Sequence, residues 1–192
     1  MKIGVYVGSF NPVHLGHKRV VDYLIDNEYV DKIIVVPTGN YWNKIDLISI
    51  NHRINMLKYY ENDRILINDY LNDKKYSYEI LDIIKKENRE DDIYLIIGAD
   101  NMPKFYMWKN VYSILKNNVI VLNRNDIDIK KYIAKVDQER FLILNNFGYL
   151  DISSSEIRKN VKKYKNYLDE NVYNYIIDNN LYSFNKWKYF KN

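Results

Sequence analysis

A regular alternation of short apolar runs with amphipathic helical segments constrains the fold of this chain more than any other feature of its sequence. The apolar runs are rich in Ile and Val, which is typical of parallel strands buried on both faces. The predicted strands are 3–7, 32–37, 64–68, 93–97, 119–122 and 141–144. The predicted helices are 18–27, 48–60, 78–87, 107–116, 128–136, 154–163 and 170–180. This order predicts a doubly wound α/β fold, in which a mostly parallel sheet carries helices on both faces and the chain ends in a helical segment.

The length of the chain and its few breaker residues favour one domain. The sequence has 192 residues, with only six Gly and three Pro, and this composition argues against a long linker. We therefore expect residues 1–192 to form a single domain. In Rossmann-like folds of this kind, ligands bind beyond the carboxyl ends of the strands, at the point where the strand order reverses. The loops expected along that rim begin at Gly8, Pro37, Gly98 and Asn123.

Charge and composition exclude several classes of protein. A formal net charge of +4 favours an anionic small molecule, but it falls short of the clustered basic surface of a nucleic-acid-binding protein. The absence of cysteine excludes disulfides and thiolate metal sites. No apolar stretch approaches the roughly 18 residues of a membrane span, and the N-terminal apolar run is too short for a secretory signal. These features predict a cytoplasmic protein with no membrane and no nucleic-acid partner.

The densest chemical signal lies at residues 8–17, which read GSFNPVHLGH. They connect the first predicted strand to the first predicted helix, so His14 and His17 both lie where that helix begins. A helix start offers backbone N–H groups and a partial positive charge, and imidazole adds further donors for a phosphate. Gly16 allows the backbone to approach a ligand closely. A metal site is the rival interpretation, but no third ligand is evident nearby, and a metal ion bound by phosphate oxygens is the better expectation.

A second motif lies at residues 151–158, which read DISSSEIR. One interpretation is a helix N-cap, in which Ser153 or Ser154 caps the helix and Glu156 or Arg158 lies on the surface. The other is an anion pocket, built from serine hydroxyls, backbone N–H groups and the guanidinium of Arg158. The spacing alone does not separate the two interpretations.

Taken together, residues 8–17 and 152–158 resemble the paired HxGH and SSxxIR signatures of the nucleotidyltransferase superfamily. More narrowly, the chain is similar to bacterial nicotinate-nucleotide adenylyltransferases, because further matches follow in family order along nearly its whole length. These matches are RINML at 53–57, YSY at 76–78, IGADN at 97–101 with Trp108, VYNYI at 172–176 and LY at 181–182.

The resemblance implies adenylyl transfer from ATP to nicotinate mononucleotide, with nicotinate adenine dinucleotide and pyrophosphate as products, in NAD biosynthesis. The mononucleotide phosphate would attack the α-phosphorus in line, so the protein need only position the substrates and neutralise charge. Mg²⁺ is the implied cofactor, held by phosphate oxygens and water rather than by protein side chains. ATP and nicotinate mononucleotide are the implied partners, and a homo-oligomeric assembly is left open.

The same resemblance implies roles for individual residues. His14 and His17 would hold the ATP phosphates, with His17 at the charge that develops on the α-phosphate. The implied catalytic residues are His14, His17, Lys44 and Arg158. The implied ATP-binding residues are Gly8, Ser9, Phe10, Gly98, Asp100, Ser154 and Ser155. The implied mononucleotide-binding residues are Lys44, Tyr78, Glu79 and Trp108. Trp108 would stack on the pyridine ring, with a half-buried core aromatic as its alternative, and helix-face packing is the alternative for Tyr78.

Two departures from the family pattern bear on the acceptor, which is the mononucleotide that receives the adenylyl group. The loop after Pro37 has Tyr-Trp-Asn-Lys at 41–44 where the family commonly has Pro-Pro-His-Lys, so only Lys44 preserves a charge there. Glu79 replaces a family Thr, and a carboxylate pointing inward would repel a nicotinate carboxylate. We expect Glu79 to face solvent while backbone N–H groups recognise the acceptor. Nicotinamide mononucleotide therefore stays open as an acceptor.

Three other functions compete with this assignment. Phosphopantetheine adenylyltransferase shares the first motif, but the Trp108 region and the C-terminal tyrosine run argue against it. Class I aminoacyl-tRNA synthetases also use a His-x-Gly-His turn, but this chain is too short for one. A nucleotide-binding sensor without catalysis is the third alternative, and the presence of His14, His17 and Arg158 argues against it. His52 matches no functional position and is expected at the surface.

Overall fold

A computed structural model describes residues 1–41, 46–123, 127–145 and 147–183. Within them, six strands form one sheet in the order β3-β2-β1-β4-β5-β6, and every neighbouring pair is parallel. The strands are β1 Lys2–Gly8, β2 Lys32–Pro37, β3 Ile65–Ile67, β4 Asp92–Gly98, β5 Asn118–Asn123 and β6 Phe141–Asn145. The predicted α/β class and the predicted strands are confirmed.

The strand order reverses at the centre of this sheet. The chain runs from β1 outward to β2 and β3, and then returns to place β4 on the other side of β1. Tyr6 lies opposite Ile96 in the β1–β4 register, so Gly8 and Gly98 end neighbouring strands on the same rim. The crevice between the loops that follow β1 and β4 is therefore the ligand position that this fold favours.

Helices cover both faces of the sheet, as the alternation predicts. They are α1 Leu15–Asp26, α2 Ile50–Lys58, α3 Ser77–Glu87, α4 Val111–Ile114, α5 Ser154–Lys159 and α6 Glu170–Asp178. Apolar residues of α1, α2, α5 and α6 form one core cluster with one face of the sheet. Apolar residues of α3 and α4 form a second cluster with the other face. None of the helices in the described ranges is long and apolar enough to cross a membrane.

Three predicted helices differ from the structure. Residues 99–107 form a 3₁₀ helix that contains Pro103, and Asn110 then takes a left-handed conformation with φ of 50°, so the predicted helix at 107–116 is reduced to α4. Proline lacks an N–H for a regular helix, and a left-handed residue interrupts one. The predicted helix at 128–136 is two 3₁₀ segments, Ile129–Tyr132 and Lys135–Arg140. The predicted helix at 154–163 ends at Lys159, because Asn160 is extended.

Candidate active site

The turn after β1 is held by hydrogen bonds to its backbone carbonyls. The Gly8 carbonyl accepts from the N–H of Thr38 at 2.8 Å, and the Ser9 carbonyl accepts from Nη1 of Arg53 at 2.8 Å. In a trans peptide the N–H points opposite to the carbonyl. Because Gly8 O points toward β2, the N–H of Ser9 points toward the β4 side, where the crevice lies. The N–H of Phe10 likewise points away from Arg53.

Phe10 adopts an uncommon backbone conformation at the centre of this turn. Its φ is 46°, in the left-handed region that non-glycine residues rarely occupy. The side chain is only 3 % exposed, and its ring packs edge-on against Tyr6 and His17 at centroid distances of 5.4 and 5.1 Å. Packing therefore holds Phe10 in a strained conformation of the kind that concentrates at functional sites.

The two histidines form the cap of α1. His14 is the N-cap residue, and its Nδ1 accepts from the N–H of Gly16 at 3.1 Å. The Nδ1 of His17 accepts from the N–H of His14 at 3.2 Å. A neutral imidazole whose Nδ1 accepts carries its proton on Nε2, so this network fixes the same tautomer in both rings. Each ring then presents an Nε2–H donor, and the prediction that both histidines lie at the helix start is confirmed.

Gly16 is needed for this cap. A Cβ on Gly16 would lie 2.9 Å from Nδ1 and Cε1 of His14, closer than side-chain atoms pack. The ring centroids of His14 and His17 are 3.8 Å apart, and His14 is only 3 % exposed. Substituting Gly16 would therefore displace the ring that caps the helix.

The serine motif lies against the same turn, although 142 residues separate Ser154 from Pro12. Ser153 caps α5 through a reciprocal pair of bonds with Glu156, so the capping interpretation is confirmed for that serine. The hydroxyl of Ser154 donates to the Pro12 carbonyl at 2.9 Å. The sequence left Ser153 and Ser154 equivalent, but the structure gives them different partners.

Arg158 connects α5 to the turn. Its Nη1 donates to the Asn11 carbonyl at 2.8 Å, and its Nη2 donates to the hydroxyl of Ser155 at 3.2 Å. A guanidinium carries five N–H donors, so these two bonds leave donor capacity for an anion. The structure thus brings the two signature motifs together at one rim.

Arg53 places a buried positive charge beneath the turn. The residue is 1 % exposed, and its Nε donates to the Ile48 carbonyl at 3.2 Å while its Nη1 bonds Ser9. Burial lowers the pKa of Arg53, and no carboxylate of the described residues forms an ion pair with it. A cation in a poorly solvated position, whose hydrogen-bond partners among the described residues are carbonyls, increases the positive potential at the turn.

Gly98 and Asp100 follow β4 on the opposite side of the crevice. Asp100 is exposed, and its carboxylate lies so close to the Gly98 Cα that any Cβ there would collide with it. Asn101 donates to the Gly98 carbonyl at 3.2 Å. The carboxylate at this rim can accept hydrogen bonds from ligand hydroxyls.

Two cavities meet at this rim. The smaller one, of about 300 Å³, contacts the turn after β1, the first turn of α1 and the loop after β4 through Gly8, Phe10, His17, Gly98 and Asp100. The larger one, of about 540 Å³, lies beside the start of α3. The residues that line both cavities are Val7, Ser77 and Trp108. Trp108 is half-buried and packs against Phe105 at 5.4 Å, so it is both a core aromatic and a wall of the two cavities.

The larger cavity has a cationic lining. Three lysines contribute to it, Lys74, Lys75 and Lys109, and no carboxylate is among its described lining residues. Lys74 forms an ion pair with Asp73 at 2.8 Å, and Lys75 lies over the ring of Tyr76 at 5.3 Å. Lys109 is exposed and has no ion pair with any described residue.

The remaining predicted acceptor residues lie differently from the sequence expectation. Glu79 does not extend into solvent, because it is half-buried and its carboxylate accepts from the N–H of Tyr76 at 2.9 Å. The ring of Tyr78 stacks on Tyr76 at 6.0 Å, and neither Tyr78 nor Glu79 is among the described residues that line the two cavities. Lys44 lies outside the described residues.

Several site residues escaped the sequence prediction. Arg53 had a detectable signal, because it lies three residues after Ile50 and four before Leu57, on the apolar face of α2. His52 is not a simple surface residue, since its Nδ1 is 2.9 Å from the hydroxyl of Tyr175. Asn11, Tyr76, Ser77 and Tyr182 lie inside segments that resemble the family, but the sequence assigns them no role. Thr38, Lys74, Lys75 and Lys109 have no local pattern.

Comparisons with known proteins agree with this geometry. A model of the family described as cytidylyltransferase-like matches residues 5–160. A curated relative from Acholeplasma laidlawii, named probable nicotinate-nucleotide adenylyltransferase, is 36% identical over 188 residues, which cover 93% of this chain and 96% of the relative. A relative of the same name from Clostridium tetani is 33% identical and covers 94% of this chain and 98% of its own length.

A solved structure has the same fold. Plasmodium falciparum nicotinic acid mononucleotide adenylyltransferase complexed with NaAD superposes with a TM-score of 0.75 at 24% sequence identity, covering 95% of this chain and 98% of that one. The similarity extends over nearly the whole of both chains, so the two proteins share the fold.

Proposed function

The chain belongs to the nicotinate-nucleotide adenylyltransferases of the cytidylyltransferase-like family, and we propose that its two joined cavities hold ATP and nicotinate mononucleotide for direct adenylyl transfer. The reaction gives nicotinate adenine dinucleotide and pyrophosphate in NAD biosynthesis. The observation that carries the proposal is the contact between the two signature motifs. Arg158 and Ser154 donate hydrogen bonds to carbonyls of the turn after β1, and His14 and His17 follow that turn in the chain. The smaller cavity lies beside the turn and meets the larger cavity at Trp108.

In this proposal, ATP lies along the smaller cavity with its phosphates at the start of α1. The Nε2–H groups of His14 and His17 and the N–H groups of Ser9 and Phe10 donate to phosphate oxygens. His17 lines the cavity, which supports its assignment to the charge that develops on the α-phosphate. Asp100 accepts from the ribose hydroxyls beside Gly98. Arg158, Ser155 and the N–H of Ser154, whose hydroxyl donates to Pro12, hold the β- and γ-phosphates as pyrophosphate forms.

The transfer itself needs no covalent intermediate. A phosphate oxygen of the mononucleotide forms a bond to the α-phosphorus, and the bond from that phosphorus to the α,β-bridging oxygen breaks as pyrophosphate leaves. The nucleophile is already an anion, so no general base is required. The protein contributes alignment of the reacting atoms and hydrogen-bond donors for the developing charge.

The larger cavity supports an anionic pyridine ring as the acceptor. Trp108 offers an aromatic face, and Lys74, Lys75 and Lys109 supply positive charge around the same space. Glu79 is not among the described residues that line this cavity, and its carboxylate is turned to the N–H of Tyr76. A nicotinate carboxylate matches this lining better than an uncharged carboxamide, with Lys44 as a further proposed phosphate or carboxylate partner.

We expect Mg²⁺ to enter with ATP. In the described part of the chain, no group of three His, Cys, Asp or Glu residues lies close enough together to hold a metal ion, and the rim offers mainly hydrogen-bond donors. Such a rim fits a metal ion that is ligated by phosphate oxygens and water. There Mg²⁺ would neutralise charge on the triphosphate. The cytoplasmic location, the single domain, the absence of a nucleic-acid partner and any homo-oligomeric state stay predictions.

A product assay tests the proposal. The chain is incubated with Mg·ATP and, in separate reactions, nicotinate mononucleotide, nicotinamide mononucleotide or phosphopantetheine, and pyrophosphate and the adenylylated product are quantified. We expect the highest kcat/KM with nicotinate mononucleotide. Turnover with phosphopantetheine and with neither pyridine mononucleotide would overturn the assignment, and ATP binding without turnover of any acceptor would favour a sensor.

A further inference from the structure

Asn11 joins four segments of the chain beneath the phosphate-binding turn. It is only 4 % exposed, and its Nδ2 donates to the Asp46 carbonyl at 2.8 Å. Its Oδ1 accepts from the hydroxyl of Tyr182 at 2.9 Å and from the N–H of Ile48 at a longer 3.5 Å. Its backbone carbonyl accepts from Arg158. The side-chain amide therefore links the turn to the segment after β2 and to the C-terminal segment, and the backbone carbonyl links it to α5.

Tyr182 reaches this position from beyond α6. The residue has a φ of 60°, and its hydroxyl bonds a partner that is 171 residues away in sequence. Burial raises the pKa of Tyr182, while the positive charges of Arg158 and Arg53 lower it less, so the hydroxyl keeps its proton. A protonated phenol can donate or accept, whereas the Asp46 carbonyl can only accept. The bond to that carbonyl therefore assigns the nitrogen of the Asn11 amide to the Asp46 side and its oxygen to the Tyr182 side, where the hydroxyl donates.

We propose that Tyr182 is a positioning residue for adenylyl transfer, acting through the Asn11 side chain on the backbone of the phosphate-binding turn. Without the hydroxyl, Asn11 Oδ1 keeps, among the described residues, only the long bond from Ile48, while Nδ2 keeps its bond to the Asp46 carbonyl. The amide is then held less firmly on its oxygen side, and the peptides on either side of it are less firmly anchored. The N–H groups of Ser9 and Phe10 lie within two residues of Asn11. Small displacements of such donors from the reacting phosphate reduce the rate steeply.

The chain offers a matched control for this role. Tyr175 lies on α6, and its hydroxyl accepts from Nδ2 of Asn55 at 3.0 Å and bonds Nδ1 of His52 at 2.9 Å. These bonds connect α6 to α2 and involve no residue of the turn. Tyr175→Phe removes two hydrogen bonds of the C-terminal region, whereas Tyr182→Phe removes one. If Tyr182 only stabilises the fold, Tyr175→Phe should lower the activity at least as much as Tyr182→Phe does.

The kinetic effect rests on the proposed function, so it is measured as the single-turnover rate of dinucleotide formation from ATP and nicotinate mononucleotide. We expect Tyr182→Phe to lower that rate about 10- to 100-fold, with KM for nicotinate mononucleotide within about threefold of wild type. We expect Tyr175→Phe to leave the rate within about twofold of wild type. We expect it to lower the Tm by at least as much as Tyr182→Phe does. Equal rates for the two variants would overturn the proposal.

A second readout does not depend on the substrate. Amide ¹⁵N relaxation dispersion of the ligand-free protein reports microsecond-to-millisecond exchange at Ser9 and Phe10. We expect exchange at both residues in Tyr182→Phe and none in wild type or Tyr175→Phe. If wild type makes no dinucleotide, the proposed function fails while this measurement still tests the role of Tyr182. If Ser9 and Phe10 relax in Tyr182→Phe as they do in wild type, the proposed role of Tyr182 is wrong.

Discussion

The two cavities that meet at Trp108 have walls of very different construction. At the smaller cavity, proposed for ATP, carbonyls of the adjoining turn accept hydrogen bonds from other parts of the chain, and the donors are Thr38, Arg53, Ser154 and Arg158. The larger cavity, proposed for the acceptor, is lined by buried apolar residues such as Ile80 and Ile114 and by lysine side chains, including the exposed Lys109. Tertiary hydrogen bonds fix the turn beside the first cavity, whereas the positive charge at the second lies on long side chains that are partly in solvent.

This difference suggests a division of labour. Positioning a phosphoryl group needs donors that do not move, and a network of tertiary hydrogen bonds provides them. Recognition of the pyridine end of the acceptor, away from the reacting phosphate, needs positive charge and an aromatic face. Side chains that lie partly in solvent are sufficient to supply them. Substitutions on the ATP side should therefore affect the rate strongly, and substitutions on the acceptor side should affect selectivity by modest factors.

The largest effect is expected for His17→Ala. The variant removes an Nε2–H donor at the smaller cavity, and loss of one such donor typically costs about 10²- to 10³-fold in kcat. Steady-state kinetics with Mg·ATP and nicotinate mononucleotide measure it. His52→Gln is the control, because it alters a histidine that bonds Tyr175 away from the turn, and its kcat should stay within about twofold. A kcat for His17→Ala near that of wild type would contradict the assigned role.

Arg53→Met should have the next largest effect. It tests whether the hydrogen-bonded turn after β1 depends on a buried cation. The variant leaves the carbonyls of Ser9 and Ile48 without their guanidinium donors, at about 1–3 kcal/mol for each buried group. It also removes the positive charge beneath the turn, where we propose that the phosphates bind. We expect a lower midpoint of urea unfolding and a KM for ATP raised by about tenfold or more.

Arg53→Lys separates charge from geometry in the same experiment. Lysine restores the charge but cannot bond two carbonyls with a planar fork. We expect it to recover part of the ATP affinity and little of the stability. If Arg53→Met and Arg53→Lys have the same KM for ATP, the buried charge contributes nothing to the anion site.

The fold and the placement of the turn at residues 8–17 were largely predictable from the sequence because their signals are local. Buried parallel strands produce continuous apolar runs, and the histidines of the turn are close together in sequence. The bond from Tyr182 to Asn11 has no such signal, since no periodicity relates residues 171 positions apart. The helix predicted at 107–116 was wrong because apolar spacing does not reveal the left-handed backbone at Asn110. The lysines of the larger cavity could not be predicted, because they come together only through the fold.

The smallest effect is expected on the acceptor side, for Lys109→Met. Methionine keeps most of the length of the side chain and removes its charge at the larger cavity. An exposed charge contributes little, roughly 0.5–1 kcal/mol, so kcat/KM for nicotinate mononucleotide should fall about two- to fivefold. The value for nicotinamide mononucleotide should change less, and the loss should shrink as ionic strength rises.

Lys104→Met is the matched control for this selectivity, because Lys104 is an exposed lysine on the neighbouring 3₁₀ helix and does not line either cavity. It changes the net charge of the protein by the same amount, so it corrects for long-range attraction of anionic substrates. An equal change in the nicotinate-to-nicotinamide ratio in both variants would assign the effect to overall charge. A change confined to Lys109→Met would show that solvated side chains tune the acceptor while the bonded turn performs the transfer.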